Sequence, residues 1–238
     1  MITQPKFSVV IPARNEEKVI ARCLDSVEKQ QGDFIFEVIV VNNGSSDKTK
    51  EISESYGVSV INETKDGVGM ARKIGTEAAN GEFIINMDAD SCLPADYFSR
   101  VINIFKREPD LVCLGGQVFF YDAPWWLDIL RFLSHRALYY YARVVSGGRV
   151  GPLGNNMVFR KSDYKKTAGF NADLKFGEDA DINRKLSKFG KVKIDFDLKC
   201  FASSRRYHWK QKPFTQIINF LAVCRGLPLK NELPPAQD

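Results

Sequence analysis

Two acidic groupings in this 238-residue sequence have the residue types and spacing to do chemistry. The first is Asp88-Ala89-Asp90. Carboxylates two residues apart at a strand end can both turn toward one ligand. Hard divalent cations such as Mg²⁺ or Mn²⁺ take such oxygens and leave substrate phosphates to complete the shell. The same residues also read as a helix start, with Asp90 and Ser91 capping a helix entered through Pro94. The second grouping is Glu178-Asp179-Ala180-Asp181, which follows Gly177 and opens a helix. Its three carboxylates repel one another, a cost that a nearby cation or a proton-transfer role would offset. The helix dipole accounts for one or two of them.

Two polar segments accompany these acids: Pro12-Ala13-Arg14-Asn15-Glu16 and Asn42-Asn43-Gly44-Ser45-Ser46-Asp47. Ser46 or Asp47 is expected to cap the helix that follows. The amides of Asn42 and Asn43 carry the donors and acceptors needed to read a nucleobase edge.

A scaffold must bring these segments to one edge, and the first half of the chain has the pattern for it. Short apolar runs at 7–11, 38–41, 58–61 and 83–87 alternate with helical patterns at 16–29, 47–56, 68–79 and 95–107. Such alternation predicts βαβ units, an α/β fold and a mostly parallel sheet. Ligands then bind beyond the carboxyl ends of the strands, which is where all these polar segments fall. The second half predicts a strand at 111–120 and one or two aromatic-rich helices at 124–145, which also carry Arg131, Arg136, Arg143 and His135. A glycine-rich turn region, a strand at 157–160, a helix at 179–189 and strands at 192–194 and 200–202 follow. No linker composition interrupts the chain, so one domain over 1–238 is expected.

Composition excludes several classes. At 44% hydrophobic and 26% charged residues the chain is neither disordered, collagen-like nor a small disulfide scaffold. A chain of this size buries roughly 70–75% of its unfolded surface. The formal charge is +5, unevenly spread: ten Lys/Arg between Asn183 and Lys212 face only Asp195 and Asp197, so that window is +8 and the remainder −3. The window is either a solvated basic face or the seat of an anionic partner such as phosphate, lipid headgroup or nucleic acid. Five scattered cysteines without a C-x-x-C pair fit a reducing compartment and no zinc site. With neither a signal-peptide pattern nor a spanning apolar stretch, a cytoplasmic location is expected.

Taken in order, P-A-R-N-E (12–16), V-V-N-N-G-S-S-D (40–47), G-x-x-x-A-R-K-x-G (Gly67 or Gly69 through Gly75), D-A-D (88–90), G-N-N-M-V-F-R (154–160) and G-F-x(7)-E-D-x-D (169–181) resemble the family-2 glycosyltransferases. The resemblance runs from about Phe7 to Arg206. It implies a single GT-A domain that uses a nucleotide-diphosphate sugar. Residues 1–110 would form the donor half and 111–212 the acceptor and catalytic half, with 213–238 a C-terminal helix and tail.

Residue by residue, the resemblance implies that Pro12, Arg14 and Glu16, with Asn42, Asn43 and Arg72, surround the nucleoside. Asp88 reaches the ribose or metal region, and Asp90 holds a Mg²⁺ or Mn²⁺ ion bridging the diphosphate. Asp179 is the general base, in an inverting transfer. Arg205 and Arg206 contact the diphosphate or an acceptor phosphate, His208 is a candidate third metal ligand, and Glu178 and Asn156 lie on the acceptor side. The family's usual V-D-D-G-S or V-D-N-G-S is here Asn42-Asn43, which leaves the base open. The Q-x-x-R-W segment of processive synthases is replaced by the stretch Ser203–Trp209, which favours single-sugar transfer. The basic window then points to phosphate rather than nucleic acid. The segment 124–145 either lies in a membrane interface, which would suit a polyprenyl-phosphate or glycolipid acceptor, or covers the acceptor side of the sheet. Competing readings are a sugar nucleotidyltransferase, disfavoured by a first loop without glycine, and a non-catalytic nucleotide-sugar-binding module.

Overall fold

Alternation along the strands decides where the core lies, because successive side chains point to opposite faces of a sheet. In the computed structural model, which describes residues 4–205 except 146, 149, 150, 153, 175 and 176, β1 (Phe7–Ala13) shows this directly. Phe7, Val9 and Ile11 pack on one face with Leu24 and Val27 of α1 (Ile20–Glu28) and Phe98, Val101 and Phe105 of α4 (Tyr97–Arg107). Val10 points the other way, with Ala71 of α3 (Val68–Ala78) and Ile182 and Leu186 of α7 (Glu178–Leu186). Helices on both faces require strands that are apolar on both sides, as β1 and β4 (Phe83–Met87) are.

The remaining elements are β2 (Phe36–Asn42), α2 (Thr49–Ser55), β3 (Ser59–Asn62), β5 (Ser91–Cys92), β6 (Leu111–Phe120), α5 (Trp125–Val145), β7 (Asn156–Arg160), α6 (Lys161–Tyr164) and β8 (Lys191–Ala202). They complete one eight-stranded sheet of order β3-β2-β1-β4-β7-β6-β8-β5. Strands β3, β2, β1 and β4 are mutually parallel, as is the β6–β8 pair. β7 enters antiparallel between β4 and β6 and sets Asn156 opposite Met87, next to Asp88. The expected mostly parallel α/β sheet is what forms. Close packing of α3 on it requires Gly75, where a Cβ would lie 2.4 Å from Val10 Cγ1.

Three local expectations change. Helix α1 starts at Ile20 rather than residue 16, because residues 15–17 are tied to the loop after β2. Asn15 is left-handed at φ 54°, Glu16 N–H donates to Thr49 Oγ1 at 2.7 Å, and Glu17 N–H donates to Asp47 Oδ2 at 3.0 Å. Asp47 does satisfy an amide at the start of α2, accepting from Thr49 N–H at 3.0 Å. Asp90 and Ser91 do not cap α4, since Ser91 pairs with Ala202 in β5. The two strands expected at 192–194 and 200–202 are one strand, β8. Its register on β6 jumps from Asp195–Gly116 to Lys199–Gln117, which leaves residues 196–198 as a bulge.

Helix α5 is a single helix of 21 residues. It rests on the sheet through Phe132, stacked on Phe119, and through Tyr139, whose hydroxyl accepts from Ile194 N–H at 3.2 Å. It does not bury its other face: Trp125, Leu133 and Val144 are exposed. No helix among the described residues is long and apolar enough to cross a membrane. Arg206, His208 and residues 213–238 lie outside the described residues.

Candidate active site

A guanidinium with almost no solvent must be surrounded by anions and carbonyls, and Arg72 is 3% exposed. It projects from the buried face of α3 and gathers three segments. Nη2 donates to Asp88 Oδ1 at 2.7 Å, Nη1 donates to the Gly154 carbonyl, and Nε lies 3.3 Å from Glu178 Oε1. Burial alone would ease its deprotonation, but Asp88, Glu178 and Asp179 outweigh burial and hold it protonated. Gly154 is required here because a Cβ would lie 2.5 Å from Arg72 Nη2. The sequence showed Gly154 only as part of a glycine-rich turn, although its place in G-N-N-M-V-F-R was a signal.

Gly154 also reaches the second acidic grouping. Its N–H donates to Asp179 Oδ2 at 3.2 Å, while Asp179 Oδ1 accepts from Ala180 N–H at 2.7 Å. Gly177, left-handed at φ 82°, turns the chain into α7 so that Glu178 and Asp179 face Arg72. Burial pushes the Glu178 carboxyl up to about 7, helped by neighbouring Asp179 and opposed by Arg72. Burial likewise raises Asp179, against Arg72 and the two backbone N–H donors. The pair therefore holds a proton more readily than free carboxylates do. Asp181 takes no part: it pairs with Arg184 at 2.9 Å and Lys185 at 2.5 Å on the helix surface.

The Asp88–Asp90 turn leaves β4 beside this pair. The Asp88 carbonyl accepts from Ser91 N–H at 3.0 Å, and the Asp90 carbonyl accepts from Ser203 N–H at 3.1 Å, which ties the turn to the end of β8. Asp122, which the sequence reading did not single out, holds that end by accepting from Ser203 Oγ and Ser204 N–H, each at 2.6 Å. Arg205 is thereby positioned to donate to the buried carboxylate of Glu16, with its Nη2 3.9 Å from Asp90 Oδ2. Asp88 and Asp90 fit a divalent cation by type, since both are hard carboxylate donors on one turn. Among the described residues no group of three His, Cys, Asp or Glu side chains forms a closed cage. An open two-carboxylate site of this kind suits an ion that completes its shell with phosphate and water.

Other expected contacts are placed differently. Both Asn43 N–H groups are spent on the Glu63 and Lys65 carbonyls, at 3.3 and 2.8 Å, and its Oδ1 accepts from Gly67 N–H at 3.1 Å. Asn42 donates to Asn62 Oδ1 at 3.0 Å. These amides pin the loops after β2 and β3 together, so their polar atoms are engaged by the protein rather than turned to a base edge. Arg14 is exposed and pairs with Asp66. Pro12 sits within β1 opposite Val41. Asn156 is 2% exposed and accepts from the Tyr97 hydroxyl, so it lies under the site rather than on an acceptor-facing surface.

Among the described residues, five cations of the basic window pair with acids of the protein. Arg184 and Lys185 pair with Asp181, Lys191 and Lys193 with Glu108, and Arg205 with Glu16. Of its described cations, Arg205 is the one that reaches the D-A-D turn.

Comparisons with known proteins give the family and the fold. The family model described as glycosyl transferase family 2 matches residues 8–167. The candidate glycosyltransferase EpsH of Bacillus subtilis (strain 168) is 32% identical over 165 residues, which are 66% of this chain and 48% of that protein. The chain thus spans about half the length of that relative. A mannosyltransferase from Pyrobaculum calidifontis in complex with GDP-Man and Mn²⁺ superposes with a TM-score of 0.70 at 18% identity, covering 98% of this chain and 67% of that one. Staphylococcus aureus TarS (residues 1–349) in complex with UDP-GlcNAc gives 0.66 at 22% identity, over 96% and 68%. The fold is the GT-A fold of these structures, and the chain belongs to glycosyl transferase family 2.

Proposed function

We propose that the chain transfers a single sugar from a nucleotide-diphosphate sugar to an acceptor hydroxyl or phosphate, with inversion, using Asp179 as the base. The observation that carries this reading is the Arg72 junction, which couples Asp88 at the D-A-D turn to Glu178 and Asp179 across the sheet edge. Donor chemistry then belongs to residues 1–110 and acceptor chemistry to 111–212, meeting at that guanidinium. Glu178 is buried on Arg72, so Asp179 is the carboxylate left to meet an acceptor hydroxyl and accept its proton. Inversion of the anomeric centre is the outcome that the resemblance to family-2 glycosyltransferases implies for such a base.

Asp90 and Asp88 would hold Mg²⁺ or Mn²⁺, with His208 the candidate third ligand. Once bound, the cation supplies positive charge where the leaving diphosphate gains negative charge. The Mn²⁺ and GDP-Man held by the Pyrobaculum mannosyltransferase support this class of ligand. Arg205 would move from Glu16 to the diphosphate, where its planar fork matches phosphate oxygens, with Arg206 beside it. Asn42, Asn43, Pro12 and Arg14 would shape the nucleoside end, the amides by fixing the loops. The acceptor class is a lipid-linked or polysaccharide precursor, met in the cytoplasm or at the inner face of its membrane.

The deciding experiment titrates UDP-, GDP- and TDP-sugars with Mn²⁺ or Mg²⁺ while thermal unfolding is followed. Binding at about 100 times Kd stabilises by roughly 2.7 kcal/mol. One nucleotide class should raise the melting temperature only with metal, and Asp90→Ala should abolish the rise. A protein that responds to no nucleotide sugar overturns the reading.

A further inference from the structure

An apolar helix face packs on something whenever a partner is available, and the face that α5 turns away from the sheet is exposed among the described residues. Trp125, Trp126, Ile129, Leu133, Tyr140 and Val144 are all exposed, from 49% at Trp126 to 81% at Val144. At about 100° per residue they fall within a single arc of about 100°. The stripe runs the length of a helix of about 30 Å. Trp125 and Trp126 stand at its start and Tyr140 near its finish, with Ile129 and Leu133 between them and Val144 last. Trp and Tyr have an apolar body and a polar tip, which suits them to the boundary between headgroups and acyl chains.

The charge arrangement has the same sense. The one acid of α5, Asp128, is turned inward and accepts from Phe120 N–H at 2.9 Å. Arg136 lies over the Phe132 and Phe196 rings at 4.9 and 4.5 Å, and Lys199 stands 5.9 Å from the Phe119 ring that stacks on Phe132. At the same 100° per residue, Arg136 and Arg143 fall on the Trp125 edge of that arc, and Asp128 does not fall within it. The stripe thus carries positive charge along one edge.

We infer that the exposed stripe of α5 docks the protein on the surface of an anionic lipid bilayer, with the helix axis lying along the interface. The start of the stripe is close in sequence to a residue that supports the candidate site. Asp122, three residues before Trp125, holds the end of β8 from which Arg205 reaches Glu16 and approaches Asp90. The contact stands on α5 alone and does not require the transfer reading.

The test is flotation of the full chain with phosphatidylcholine vesicles, with and without phosphatidylglycerol. The chain should float with the anionic vesicles, less so as salt rises. Trp125→Ser combined with Trp126→Ser should weaken partitioning about tenfold or more with the melting temperature unchanged. Leu133→Ser checks the same face from its middle. Absence of flotation at low salt, or equal flotation of the double variant, overturns the inference. Oxidative footprinting that finds Trp126 and Tyr140 of the vesicle-free chain already protected also overturns it, because residues 206–238 or a second copy would then cover the stripe. Loss of nucleotide-dependent stabilisation without loss of flotation would strike the transfer reading alone.

Discussion

Two pairs of carboxylates share Arg72, and the fold treats them in opposite ways. Asp88 and Asp90 sit on a turn at the open edge of the sheet, tied by backbone hydrogen bonds to Ser91 and Ser203 and approached by Arg72 and Arg205. Glu178 and Asp179 open a helix whose first turn is pressed onto the sheet, and burial raises both carboxyls. The same residue types are prepared for different tasks by the cations they meet and by the direction of neighbouring N–H groups. A carboxylate pair beside cationic side chains can stay charged and bind; a pair whose carboxyls are raised can hold or take a proton near neutral pH.

The largest expected effect comes from removing proton transfer on the buried side alone. Asp179→Asn should lower kcat by roughly 10²–10⁴-fold while metal-dependent nucleotide stabilisation persists. Normal turnover in that variant would erase the functional difference between the two pairs. Next comes Arg72→Met, which leaves Asp88 and Glu178 without their shared cation. Breaking a buried ion pair from one side costs about 3–5 kcal/mol, measurable by urea unfolding, and a cost under about 1 kcal/mol would show that the pairs are not joined through Arg72.

The third effect is smaller and lies in pH dependence. Glu178 has an ordinary value of 4.5 and a folded value of about 7. Below 4.5 it is protonated in both states and costs nothing. As pH rises through that interval the unfolded chain ionises first, so this group removes stability progressively up to about 7. Glu178→Gln should therefore flatten the wild-type decline in that window, as read from unfolding midpoints at successive pH values. An unchanged slope would mean that Glu178 is not the group held protonated.

Much of the scaffold was legible because its signal is local. The apolar runs from Phe7 to Met87 became parallel strands, β4 and β6 with the expected bounds. Elements whose existence depends on distant partners were not legible. Ser91–Cys92 is a strand only because Ala202 and Phe201 lie beside it, and residues 196–198 bulge within β8 because β6 continues on either side. The start of α1 moved for the same reason, since Thr49 and Asp47 claim the amides of Glu16 and Glu17. Within the site, the acids were visible as residue types, while Gly154 and Asp122 gained meaning only from what they touch.

The sequence by itself determined the strand–helix alternation and the placing of polar, acidic segments at strand ends. Both follow from the period of apolar residues and from turn chemistry within a few neighbours. Only the tertiary structure decided which carboxylates are buried, which cations they meet, and that five described cations of the basic window pair with Asp181, Glu108 and Glu16. It also decided that one face of α5 is exposed among the described residues. Desolvation and Coulomb interactions act between groups that are close in space, and Arg72, Gly154 and Asp179 become neighbours only when the sheet closes around them.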